Sequence, residues 1–213
     1  MAELRTLMTG IAMGESPRWH DDRLWFADWG AGEIIALDMT GANEVVLRRQ
    51  SLPLSFDWLP DGRLLLVSGG DGLLLRREHD GSMAVHADLS RISDKPWNEI
   101  VVDGRGNAYV NTIGFDFPSG EFAPGSVAVV TPDGSARPVA EELAFPNGLA
   151  VTPDNATLIV AESYGNCLTA FDIGHDGGLS NRRVWARTGG DHPDGICLDV
   201  DNAVWYADVG QHH

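Results

Sequence analysis

Four oxygen-bearing side chains, Glu15, Asn98, Asn147 and Asp194, occupy the same slot of a segment that recurs along the chain. The five copies begin at Glu15-Ser-Pro-Arg-Trp19, Leu54-Ser-Phe-Asp-Trp58, Asn98-Glu-Ile-Val-Val102, Asn147-Gly-Leu-Ala-Val151 and Asp194-Gly-Ile-Cys-Leu198, so Leu54 is the one apolar member. Carboxylate and amide oxygens gathered in one place suit a hard cation, Ca²⁺ before Mg²⁺ when neutral amides and water share the site. Zn²⁺ or Mn²⁺ can fill such a site where geometry and supply allow. Asn-Gly and Asp-Gly are also ordinary turn dipeptides, but turn chemistry does not require Glu15 or Asn98 in the same register. No HExxH, GxSxG or P-loop pattern competes for the chemistry. His192 flanks a slot residue and reads as a loop histidine, and His212-His213 has no pattern that supports a metal site.

The elements that must position these residues repeat as well. After each slot comes a turn rich in Asp, Gly, Asn or Pro, then an apolar strand: Trp25-Phe-Ala-Asp28, Leu65-Leu-Val-Ser68, Tyr109-Val-Asn-Thr112, Ile159-Val-Ala-Glu162 and Trp205-Tyr-Ala-Asp208. The starts lie 40, 44, 50 and 46 residues apart, a period that suggests propeller blades of four strands. A Gly-led third strand and a shorter polar fourth strand complete each unit. No helix is evident, beyond one possible turn at Ala140–Leu143. The chain therefore reads as all-β, a single domain over 1–213, with about four and a half blades. Innermost strands of a propeller surround its axis, so equivalent slots open on one face. Trp25, Trp58 and Trp205 read as blade packing, and Asp28, Glu162 and Asp208 as turn or inter-blade hydrogen-bond partners. The long segment Ile113–Pro124 reads as a lid or pocket wall as readily as simple loop drift.

Bulk composition narrows the partners. The 213 residues are 43% hydrophobic, and 15 basic against 31 acidic residues give a net charge of −16. That balance excludes a nucleic-acid surface and favours cations. No run approaches a membrane span, and the N-terminus lacks the apolar core of a secretion leader, so a cytoplasmic location is the expectation. Cys167 and Cys197 have neither metal nor redox spacing and are expected to be reduced and structural.

The motifs Gly14-Glu15-Ser-Pro-Arg-Trp19, Trp97-Asn98 followed by Val102-Asp103-Gly-Arg-Gly106, Phe145-Pro-Asn147-Gly-Leu-Ala150 and His192-Pro-Asp194-Gly-Ile196 together resemble the SMP-30/gluconolactonase/luciferin-regenerating enzyme family. The resemblance implies a six-bladed β-propeller with a divalent cation in its axial channel. It places the metal ligands on Glu15, Asn147 and Asp194, gives Asp194 a second role toward the attacking water, and puts substrate contacts on Asn98 and Asp116. The implied reaction is metal-assisted opening of a small lactone. The alternatives are phosphotriester hydrolysis at the same cation, or a non-catalytic propeller or fragment.

Two departures from the family pattern stand out. The Arg that many sugar-lactone members carry two residues before the substrate Asn is Pro96 here, and Lys95 lacks the planar fork of Arg. Trp19, Trp97, Phe115 and Phe117 are candidates for a more apolar mouth. The family also continues through a sixth blade, which the N-terminal strand near Leu4–Met8 helps to close, so this chain is expected to be part of a longer propeller.

Overall fold

The computed structural model describes residues 4–210; His212 and His213 therefore lie outside the described residues. Eighteen strands form five antiparallel sheets, each a consecutive meander. The first blade holds β1 (Gly14–His20), β2 (Arg23–Asp28), β3 (Glu33–Leu37) and β4 (Asn43–Arg48). The second holds β5 (Leu54–Trp58), β6 (Leu64–Ser68), β7 (Leu73–Arg77) and β8 (Met83–Asp88). The third holds β9 (Trp97–Val102), β10 (Ala108–Thr112), β11 (Gly125–Val130) and β12 (Ala136–Leu143). The fourth holds β13 (Pro146–Val151), β14 (Thr157–Glu162), β15 (Cys167–Ile173) and β16 (Leu179–Arg187), and a fifth sheet pairs β17 (Pro193–Leu198) with β18 (Val204–Asp208). This is a β-propeller arc of four blades and part of a fifth. Among the described residues no helix is long and apolar enough to cross a membrane.

The core lies between blades, because each central strand turns alternate side chains to opposite neighbours. On β6, Leu64 and Leu66 pack with Ile34, Leu54 and Phe56 toward the first blade. Leu65 and Val67 face the other way and pack with Trp97, Ile100 and Val110 of the third. Tyr109, Val127 and Val129 meet Leu158, Val160 and Phe171 of the fourth blade in the same manner. The innermost strands β1, β5, β9, β13 and β17 pack in that order along the axis.

Several sequence expectations need correction. Ala140–Leu143 makes no helical turn; it is the end of β12, held by pairing of Ala140 with Val127 and of Leu143 with Gly125. The one helical feature among the described residues is a single 3₁₀ turn at Gly69–Asp71. Leu7 and Met8 are not in a strand; they pack against Phe26, Ile35 and Leu37 of the first blade, where apolar cover is available. Trp25 and Trp58 do pack within and between blades, edge to face at 5.2 Å. Trp205 is instead 66% exposed, with its indole N–H donating to Asp199. Both cysteines are free thiols, Cys167 buried and Cys197 exposed.

Candidate functional site

Glu15, Asn98, Asn147 and Asp194 all line one cavity of about 650 Å³, well within the range of small-molecule sites. They reach it by a shared device. In β9, β13 and β17 the slot residue and its successor together face one residue of the next strand. Asn98 and Glu99 oppose Asn111, Asn147 and Gly148 oppose Ala161, and Asp194 and Gly195 oppose Ala207. β1 carries the same two-against-one irregularity between Glu15 and Arg18. β5, whose slot holds Leu54, pairs with β6 in unbroken register. A bulge bends a strand and re-aims a side chain; three polar slots lie in bulges, Glu15 pairs with Ala27 immediately before one at Ser16-Pro17, and the apolar slot has none.

The Asn147-Gly148 and Asp194-Gly195 pairs therefore lie inside strands, not in turns. Gly148 is needed there because a Cβ would meet the backbone of Asp194 at 2.4 Å and of Ile196 at 2.6 Å. The neighbouring innermost strands approach too closely for any side chain.

A buried acid at the end of the second strand fixes the loop that enters three of the bulges. Asp28 accepts from the backbone N–H groups of Ala12 and Met13, just ahead of Glu15. Glu162 accepts from Ala144 ahead of Asn147, and Asp208 from His192 ahead of Asp194. Their strand-end location suggested turn or inter-blade hydrogen-bond partners; Asp28 does bind the turn at Gly30 and Ala31, and the bonds to the entry loops make all three positioning residues. Those bonds, led by the one from Ala12, hold the Asp28 carboxyl below its usual range.

The electrostatics of the cavity are unbalanced. Burial pushes the Glu15 carboxyl up to about 7, and the negative charges of Asp194 and Glu99 push in the same direction. Burial likewise raises Asp194, with Glu99 adding to it and the Asn147 amide opposing. No Lys or Arg is among the residues that line the cavity. Among the described residues no group of three or more His, Cys, Asp and Glu side chains forms a metal cluster. The four slot residues offer two carboxylates and two amides, an all-oxygen set that fits a hard cation supplemented by water.

Sequence reasoning missed five supports of this site. Glu99 lines the cavity beside Asn98, with one oxygen bound to Ser16 Oγ at 2.9 Å and the other to Arg18 Nη2 at 2.8 Å. Burial works against the Arg18 charge, but Glu99 and Asp57 outweigh it and raise its pKa. Asp57 is raised by burial against the pull of Arg18, and caps the backbone N–H of Val102 at 2.7 Å. Asn111, fully buried opposite the β9 bulge, accepts from the Glu99 N–H at 3.0 Å and donates to the Asn147 carbonyl. Ser163 donates to the Pro193 carbonyl at 2.7 Å and lies 3.4 Å from the Asn147 amide, tying two slots together. His192 is a wall residue, and its Nδ1 donates to the Ser163 carbonyl at 2.9 Å. The available signal was a charged or amide residue within an otherwise apolar strand, as at Glu99 and Asn111.

Asp116 stands differently. Its neighbours Phe115 and Phe117 line the cavity, whereas its own carboxylate is 71% exposed and paired with Lys95 at 3.1 Å. Of the aromatic candidates for the mouth, Trp97 is fully buried in the core and Trp19 is 59% exposed outside the lining. Phe145 and Tyr164 take their place beside Phe115 and Phe117.

Blades around an axis, with acids and amides delivered to its cavity by bulged inner strands, define the chain as a β-propeller with an axial polar site. The chain belongs to the SMP-30/gluconolactonase/LRE-like family, whose model matches residues 13–213. Among its relatives is the diisopropyl-fluorophosphatase of Loligo vulgaris, 29% identical over 209 residues, covering 86% of this chain. The chain spans 65% of that protein's length. The pentonolactonase XacC of Haloferax volcanii is 26% identical over 225 residues, covering 97% of this chain and 70% of the relative. A gluconolactonase structure from Xanthomonas campestris superposes with a TM-score of 0.79 at 27% identity, covering 95% of this chain and 72% of that one.

Proposed function

We propose that the cavity is the active site of a metal-dependent hydrolase that opens a lactone. The convergence of Glu15, Asn98, Asn147 and Asp194 in one cavity carries this reading, and the lactonases among the relatives support it. Glu15, Asn147 and Asp194 would hold the cation, Ca²⁺ first among the candidates. When bound, it supplies Lewis acidity at the substrate carbonyl.

The chain's own residues do the rest. Asn98 orients the substrate through its amide. Asp194 orients the attacking water and accepts its proton at one carboxylate oxygen. The new C–O bond forms at the carbonyl carbon, the ring C–O bond breaks, and that proton goes to the departing ring oxygen. The product is a hydroxy acid.

The phosphotriesterase relative favours a second reading, in which the same site acts on a P–O or P–F centre. A panel of lactones and phosphotriesters, assayed with Ca²⁺ and with EDTA, separates the two. Calcium-dependent lactone turnover that Asp194→Ala removes supports the proposal; turnover equal in EDTA, or seen with phosphotriesters alone, contradicts it.

A further inference from the structure

The cavity lining holds two sets of side chains. Glu15, Asn98, Asn147 and Asp194 make a polar set, the polar base, and Trp29, Phe115, Phe117, Phe145 and Tyr164 an apolar wall. Phe115, Phe117, Phe145 and Tyr164 form one ring cluster. Phe117 and Phe145 meet edge to face at 5.3 Å, Phe115 and Phe145 at 5.7 Å, and Phe145 and Tyr164 lie tilted at 4.7 Å. Phe117 remains 57% and Tyr164 49% exposed, so apolar ring surface is left uncovered beside the base. Phe145 holds this position with φ of 60°, a left-handed conformation that a bulky side chain adopts only where its surroundings enforce it.

The hydroxyl-rich face of a sugar lactone needs donors and acceptors to replace water. This wall offers almost none: Lys95 is engaged by Asp116, position 96 is proline, and among the described residues no Lys or Arg lines the cavity. We propose that the site takes a lactone bearing an alkyl or aromatic substituent, which lies against the Phe117–Phe145–Tyr164 wall while the lactone carbonyl faces the polar base. This rests on the lactonase reading and narrows its substrate class.

Two measurements on the 213-residue chain test it separately from that reading. The first is kcat/KM in Ca²⁺ for δ-hexalactone, δ-octalactone, δ-decalactone and D-glucono-1,5-lactone. The expected result is a rise of about fourfold per added methylene until the wall is covered, with the sugar lactone at least 100-fold poorer than δ-decalactone. Phe117→Ala should lower the δ-decalactone value about tenfold, chiefly through KM, and flatten the rise along the series. A flat series, or a sugar lactone as good as δ-decalactone, overturns the proposal while leaving lactonase activity standing. The second is calorimetric binding of the corresponding non-hydrolysed δ-lactams. Affinity that rises with chain length, with no lactone turned over, supports the apolar site and removes the lactonase reading. No lactam binding and no turnover overturns both.

Discussion

Replacing Glu15 with Gln should move stability and cation binding in opposite directions. Without a cation, the Glu15 carboxyl sits at about 7 in the folded chain against an ordinary 4.5, through burial and then repulsion from Asp194 and Glu99. A carboxyl raised on folding binds its proton more tightly in the native state. Stability is therefore greatest below pH 4.5 and falls as pH rises toward 7, after which the loss is constant. At about 1.4 kcal/mol per pH unit the ceiling is roughly 3 kcal/mol. Partial contact with solvent reduces this to about 1–2 kcal/mol. Glu15→Gln removes that penalty, so in EDTA at pH 8 the variant should melt about 3–6 °C above the wild type for a chain of this size. At pH 4.5 the two should nearly coincide. Saturating Ca²⁺ should reverse the order, because wild type gains about 2.7 kcal/mol at 100 times Kd and the variant gains almost nothing. Differential scanning fluorimetry reads all three conditions. A variant less stable than wild type in EDTA at pH 8, or stabilised equally by Ca²⁺, would refute the electrostatic reasoning.

Three further outcomes follow from the supports of the site. Arg18→Met leaves Glu99 and Asp57 without their cation. It should destabilise the chain by about 3 kcal/mol at pH 8 and by less at lower pH, because burial raises the Asp57 carboxyl and its protonation relieves the unpaired charge; urea titration at pH 8 and pH 5 checks this. Asn111→Ala strands the Glu99 N–H and the Asn147 carbonyl. It should lower stability by about 2–3 kcal/mol and weaken Ca²⁺ binding about tenfold by displacing Asn147, as measured by denaturation and calorimetry. Asp208→Asn retains an oxygen for the His192 N–H but loses the charge that holds the β17 entry loop. It should reduce Ca²⁺ affinity by less than Asp194→Ala does in the same titration.

The blades were legible because their physics is local and repetitive. An apolar strand such as Leu64–Ser68, buried on both faces between neighbours, announces itself by composition, and its recurrence every 40 to 50 residues announces the architecture. The shared slot was legible for the same reason. Its mechanism was not: a period-two register implies ordinary side-chain alternation, whereas Asn98, Asn147 and Asp194 reach the cavity from bulges. A bulge is a count of one strand against its partner, which a single strand does not display. Partners distant in sequence were equally hidden. Arg18 meets Glu99 only because β1 and β9 both face the axis, and Asn111 meets Asn147 only across blades. Asp116 shows the converse. Its loop reaches the cavity through Phe115 and Phe117, while the intervening carboxylate is exposed and paired with Lys95.

The central claim is that Glu15, Asn147 and Asp194 hold a hard divalent cation in the axial cavity. Calorimetric titration of Ca²⁺ into the EDTA-stripped 213-residue chain, alongside Asp194→Ala, tests it most directly. The account predicts one site in the wild type, saturated at or below millimolar Ca²⁺, and no binding in the variant. No heat in the wild type at millimolar Ca²⁺, or the same isotherm in both proteins, would contradict it.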